Sequence, residues 1–288
     1  MTVSDLIEPD QTMNDVPRMT GAAAQAVDIL DVGRGPAAVL VHSASTGNWQ
    51  WRRLIDDMAG RRRALAVNLY GYGRTPAWPE GRPQSLDAQA TLVEIAAAAT
   101  SGPISIVGHS FGAAVAMKAA LRLADRLAAL VLIEPNPFYL LADHGRIAAL
   151  AEIDELHSLT KARGGPGGWA RAGAAFADYW GGPGSWDAMP EERRQAFLAS
   201  FHNTFYEWDG VMRETTPVLA YAPLASRTLL MVARGTKRPI REIGEILVDH
   251  LPGLHTAPIG KGGHMAPLSN PAEVNPRVIE FLDRLQPA

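Results

Sequence analysis

The strongest constraint on this chain is a pentapeptide, Gly108-His109-Ser110-Phe111-Gly112, and the place where it falls. It follows the apolar run Ile104-Ser105-Ile106-Val107 and opens an alanine-rich stretch, Ala113 to Ala124, that reads as a helix. A strand passing directly into a helix through Gly-x-Ser-x-Gly must turn so tightly that its central residue adopts a strained backbone conformation. The two glycines let the strand and helix backbones approach, and the serine hydroxyl projects from the turn. With 27 glycines and 12 serines in 288 residues, the bare pattern arises by chance in roughly one such chain in ten. Its placement between strand and helix is what makes it informative.

Composition excludes several function classes. Hydrophobic residues make up 47% and charged residues 20% of the 288, ordinary for a soluble globular protein with one large α/β domain or two small ones. A net charge of -3 gives no reason to expect nucleic acid or an anionic membrane as partner. The absence of cysteine rules out disulfides, thiolate zinc sites and cysteine nucleophiles. Residues 1–20 carry Asp5, Glu8, Asp10 and Asp15 and no apolar centre, so they read as a polar arm rather than a secretory signal. No apolar stretch approaches the ~20 residues of a membrane span. A cytoplasmic protein is expected.

Along the chain, apolar runs at Ala26–Val32, Ala37–His42, Ala64–Leu69, Ile104–Val107, Ala129–Glu134, Thr228–Ala233 and His255–Ile259 read as strands. Helical patterns at Trp49–Met58, Leu86–Ala99, Ala113–Ala124, Ile240–Leu251 and Pro271–Leu285 alternate with them. That alternation predicts a mostly parallel sheet with helices on both faces. The rhythm breaks over residues 135–226, which hold no convincing strand. Helices are predicted there at Arg146–Lys161, Trp169–Tyr179 and Glu191–Glu207, separated by Gly164-Gly165-Pro166-Gly167-Gly168 and Gly181-Gly182-Pro183-Gly184. The segment reads as a helical cap inserted into a core made of 21–134 and 227–288, because the sheet pattern resumes immediately after it. The alternative is a second independent domain.

A serine hydroxyl is a poor nucleophile until a base takes its proton, so a histidine partner is required. Of eight histidines, His264 is the best placed, in the glycine loop Gly260-Lys261-Gly262-Gly263 between the last predicted strand and the last helix. His42 and His109 read as organisers of the loops beside the serine.

These features together resemble the capped serine hydrolases of the α/β-hydrolase fold, from about residue 26 to the C-terminus. Leu40-Val41-His42-Ser43-Ala44 is similar to the family's oxyanion motif, usually His-Gly-x. Asn68-Leu69-Tyr70-Gly71-Tyr72-Gly73-Arg74-Thr75 is similar to the loop after the following strand. The resemblance implies a nucleophile at Ser110, a base at His264, and oxyanion donors from the backbone N–H groups of Ala44 and Phe111. Two departures stand out. Ser43 replaces the usual glycine, where it either adds a hydroxyl donor to oxyanion or substrate or fills the glycine's space. The loop that usually carries the acid reads Arg234-Gly235-Thr236-Lys237-Arg238-Pro239, with no carboxylate. Some members carry the acid at the end of the strand after the nucleophile helix, and that position here is Glu134. A carboxylate ending an apolar strand is costly to bury without a partner.

A serine nucleophile implies acyl chemistry through an acyl-enzyme, with carboxylic ester hydrolysis of a small, apolar acyl substrate as the first expectation. Other readings stay open: a cofactor-free perhydrolase or haloperoxidase, a carbon–carbon bond hydrolase, or a catalytically weak ligand-binding member. No metal or organic cofactor is expected, since no His-Glu-x-x-His occurs and the glycine clusters do not follow strands.

Overall fold

A computed structural model describes residues 26–162 and 167–285. The polar arm expected over residues 1–20 lies outside them, as do Gly164, Gly165 and Pro166. Among the described residues seven strands form one sheet: β1 (Ile29–Val32), β2 (Ala37–Val41), β3 (Arg63–Val67), β4 (Ile104–His109), β5 (Leu127–Ile133), β6 (Thr228–Met231) and β7 (His255–Thr256). Their order is β1-β3-β2-β4-β5-β6-β7. Only β1 runs antiparallel, against β3; the other neighbours are parallel. β2 and β4 are buried along their whole length, which is why they read as continuous apolar runs rather than alternating ones.

Each strand feeds both faces of the sheet. Val39 and Val41 pack with α2 (Leu86–Ala97) and α3 (Phe111–Arg122), while Ala38 and Leu40 pack with α1 (Arg52–Asp57) and the C-terminal helix Pro271–Arg284. The helix α2 starts at Ser85, whose hydroxyl accepts the Ala88 N–H at 3.2 Å, a side-chain cap for an otherwise unpaired donor. The strand order reverses between β2 and β4, so the chain leaves these neighbours in opposite directions. A crevice opens beyond their carboxyl ends, the position where open α/β sheets hold their ligands.

The turn from β4 into α3 has the geometry that the pentapeptide requires. Ser110 sits at φ 54°, ψ -120°. A Cβ on Gly108 would collide with the backbone of Gly112 and Ala113, and one on Gly112 with the carbonyls of Val41 and His42. Backbone cannot yield as a side-chain tip can. Gly112→Ala is therefore expected to destabilise by about 3 kcal/mol or more. A melting temperature within a degree or two of wild type would refute that packing argument.

Between β5 and β6 the described residues hold only helices: α4 (Tyr139–Asp143), α5 (Ile147–Lys161), α6 (Gly168–Gly181), α7 (Glu191–Phe201), α8 (Thr204–Arg213) and a 3-10 stretch, Val218–Arg227. The single helix expected over Glu191–Glu207 is two helices. They break where the Asn203 amide donates to the Gly71 carbonyl at 3.0 Å and the Ser200 hydroxyl to the Ser45 carbonyl at 3.2 Å. Those long-range bonds leave no local sequence mark. The last strand is also shorter than the expected His255–Ile259: Pro258 has no N–H to give, and pairing resumes only as an isolated bridge between Ala233 and Ile259. Among the described residues no helix is long and apolar enough to cross a membrane.

Candidate active site

Three carboxyl-terminal strand ends converge on the crevice: β2 delivers the 42–46 loop, β4 delivers Ser110, and β5 delivers Glu134. Glu134 follows β5 at φ 51° and is fully buried. His264 arrives from the far side on the short 3-10 turn Gly263–Met265. Its Nε2 lies 2.9 Å from Ser110 Oγ and its Nδ1 lies 3.1 Å from Glu134 Oε2. The carboxylate can only accept, so Nδ1 carries the hydrogen and the Nε2 lone pair faces the serine. Ser110, His264 and Glu134, separated by up to 154 positions in sequence, thus form one hydrogen-bonded row.

Burying a carboxylate requires donors. Glu134 Oε1 accepts the Ala233 N–H at 2.6 Å, and Oε2 accepts the Thr236 hydroxyl as well as the imidazole. The loop after β6, which lacks an acid, therefore supplies the donors that hold the acid coming from β5. Thr236 was the residue that the sequence reading passed over. A hydroxyl in an otherwise basic loop facing an unpaired strand-end glutamate was its only trace.

Ala44 and Phe111 line the same cavity as Ser110, and neither backbone N–H has a hydrogen-bond partner among the described residues. The Ser43 hydroxyl does not reach that cavity. It donates to Gln50 Oε1 at 2.8 Å, and the same oxygen accepts the Ser43 N–H at 3.0 Å and the Thr46 hydroxyl at 3.1 Å. Ser43 and Gln50 together fix the loop that presents Ala44.

Two histidines brace the surroundings. His42 donates from Nδ1 to the Ser43 carbonyl at 2.7 Å and accepts the Leu69 N–H on Nε2 at 3.1 Å. His109 donates from Nε2 to the His264 carbonyl at 2.8 Å, pinning the turn that carries the candidate base. Burial lowers the first to about 4; burial, helped by the nearby His264, lowers the second to about 3, so both are neutral at pH 7.

A sequence profile of the alpha/beta hydrolase family matches residues 38–277. The chain belongs to that family. It is 30% identical over 261 residues to a lipase, LipV, of Mycobacterium tuberculosis, covering 83% of this chain and 91% of the lipase. A 2-hydroxy-6-oxo-2,4-heptadienoate hydrolase of Pseudomonas putida is 32% identical over 123 residues, 41% of this chain and 44% of that enzyme. Among solved structures, a thermophilic esterase from Thermogutta terrifontis superposes with a TM-score of 0.69 at 19% identity, covering 91% of this chain and 94% of the esterase. A hydrolase from Oleispira antarctica gives 0.70 at 18%, covering 91% and 96%. These two likenesses show the fold.

In this α/β hydrolase, helices between β5 and β6 share a cavity with the serine. Phe176 and Trp180 from α6 and Thr204, Glu207, Trp208 and Val211 from α8 line the cavity above Ser110, whose free volume is only about 20 Å³, room for one water. The Trp180 ring lies 4.0 Å from the His264 ring, inclined by 33°. Polar anchors tie α7 and α8 to the loops below. Besides those of Ser200 and Asn203, Thr204 bonds the Ser45 hydroxyl at 3.2 Å. The Tyr72 hydroxyl accepts the Ser45 N–H at 2.8 Å and donates to Glu207 Oε1 at 2.7 Å.

Glu207 is 2% exposed, and sequence reasoning gave it no role. Burial pushes its carboxyl from the ordinary 4.5 up to about 7, against the lowering effect of Tyr72 and Thr204. A carboxyl that is harder to ionise folded than unfolded contributes stability that is complete below about pH 4.5. That contribution is lost as the pH rises through about 7. Glu207→Gln is therefore expected to gain roughly 3 kcal/mol on wild type between pH 4.5 and 8.5. Urea midpoints of the two proteins across that range measure the gain, and a pH-independent difference would mean that Glu207 titrates normally.

Proposed function

We propose that this hydrolase cleaves carboxylic esters through an acyl-enzyme on Ser110. Its support is the hydrogen-bonded row from Ser110 through His264 to Glu134, beside a cavity also lined by Ala44 and Phe111, whose backbone N–H groups have no partner among the described residues. His264 Nε2 takes the Ser110 proton as Oγ attacks the carbonyl carbon, and Glu134 stabilises the resulting imidazolium. The oxyanion accepts from Ala44 and Phe111. The tetrahedral species collapses, the alkoxide leaves with the proton from His264, and water then attacks the acyl-enzyme with His264 again as base. Residues 135–226 act as a lid on a core of 21–134 and 227–288. The aromatic rings of Phe138, Phe176, Trp180 and Trp208 favour a substrate with an apolar body.

A fluorophosphonate probe tests this directly. It should label Ser110 rather than Ser43 or Ser45, and the labelled protein should show slowed hydrogen exchange within 135–226. A panel of esters, thioesters, lactones and 2-hydroxy-6-oxo dienoates then ranks the bond types, the last included because of the Pseudomonas relative. No label and no turnover on any member would overturn the proposal.

A further inference from the structure

The wall above Ser110 is not uniformly apolar. Three of its residues carry buried polar atoms without a hydrogen-bond partner among the described residues: Glu207 Oε2, Asn136 Oδ1 and Trp208 Nε1. Unpaired buried polar atoms cost roughly 1–3 kcal/mol each, so three on residues that line one small cavity point to a ligand that completes them. The Glu207 carboxyl is oriented by its surroundings. The Tyr72 hydroxyl accepts the Ser45 N–H and donates its hydrogen to Oε1, while Oε2 has no hydrogen-bond partner among the described residues. Asn136 Oδ1 is a second acceptor in the same wall.

We propose that Glu207 is a specificity residue, selecting substrates that carry an N–H or O–H donor near the attacked carbonyl and receiving that donor on Oε2. This rests on the ester-hydrolase reading for which atom is attacked, but not for the binding itself. The substrate is then amphiphilic, with an apolar body against Phe176 and Trp180 and one hydroxyl or ammonium group turned to the acid. A donor-free analogue leaves Oε2 buried and unpaired, and removing the acid leaves the substrate's donor unpaired, so either mismatch costs affinity.

Glu207→Gln inverts the contact rather than deleting it. The Tyr72 hydroxyl still needs an acceptor, so the amide oxygen takes the place of Oε1 and the NH₂, a donor, takes the place of Oε2. The substitution removes a buried acid and adds no volume, so folding is not at risk. Dialkyl sulfones are suitable probes, because they are inert to serine and their tetrahedral oxygens can accept from Ala44 and Phe111. A symmetrical series comprises dibutyl, bis(3-hydroxypropyl) and bis(3-aminopropyl) sulfone. It places the same group on both sides, so the donor reaches Glu207 in either orientation. Titration calorimetry at pH 8.5 gives the affinity of each for both proteins.

The ratio of hydroxyl- or amino-ended to dibutyl affinity should fall about 10- to 100-fold in Glu207→Gln. Whichever arm carries the fall identifies a neutral or a cationic donor. An unchanged ratio for both arms, binding of the dibutyl compound alone, or no binding of any of the three would overturn the proposal. Ester turnover is read separately: its absence sinks the ester-hydrolase reading and leaves the sulfone ratios to decide this one.

Discussion

Ser110→Ala is expected to lower kcat/KM for any turned-over ester by about three to six orders of magnitude while leaving the fold intact. The change removes one oxygen at the end of β4 and leaves the neighbouring glycines, which fix the turn, in place. Alanine at φ 54° is no more strained than serine there. Circular dichroism and the melting temperature should therefore match wild type, which separates lost chemistry from lost structure. The residual rate should reflect binding and the two oxyanion donors alone, since those do not depend on the hydroxyl. Hydrolysis at a wild-type rate would place the nucleophile elsewhere and remove the central claim.

Glu134→Gln carries the second largest effect, and its cause is tautomeric. The buried Ala233 N–H needs an acceptor, so the amide oxygen must occupy the Oε1 position. The NH₂ then faces His264 Nδ1, where a proton acceptor stood before. Donating into Nδ1 forces the hydrogen onto Nε2, so the imidazole meets the Ser110 hydroxyl as a donor and cannot serve as its base. A fall in kcat of about two to four orders of magnitude is expected, with KM little changed because no substrate contact is lost. Asp249→Asn, on the helix Arg238–His250 well apart from this row, should be nearly silent. A fully active Glu134→Gln enzyme would mean that the acid lies elsewhere.

How much of this was readable in the chain depends on the range of the forces involved. The strand–turn–helix at Ser110 is dictated by adjacent residues and was legible at once. The expectation for Glu134 came from the resemblance, in which some members carry the acid at that strand end, and the cost of burying a lone charge there agreed with it. The partners that compensate it, Ala233 and Thr236, are 99 and 102 positions away and became visible only in the fold. The division of the helix expected over Glu191–Glu207 went unread for the same reason. No glycine or proline marks Phe201–Thr204, and the break is set by bonds to Ser45 and Gly71 across the cavity. The role of Ser43 likewise turned on Gln50, seven residues on, whose amide draws the hydroxyl away from the cavity. Glu207 left no trace in sequence, since a glutamate in an amphipathic helix reads as solvent-facing until its neighbours are placed.

The anchors between the helical insert and the core end on one loop more than any other. The Ser200 hydroxyl, Thr204, and Glu207 acting through Tyr72 all hold Ser45, the residue next to Ala44. If residues 135–226 act as the proposed lid over this small cavity, lifting α6 to α8 to load an ester would strain or break those bonds. The strand-end loop that carries Ala44, a proposed oxyanion donor, would then be released as the lid opens. On that reading an open molecule would be a poor catalyst, and competence would return when the lid shuts on something that fits beneath it. Discrimination among esters would then be exercised in the latch as much as in the pocket, and substitutions at Ser200 or Asn203, remote from any reacting atom, would loosen selectivity before they slowed the chemistry.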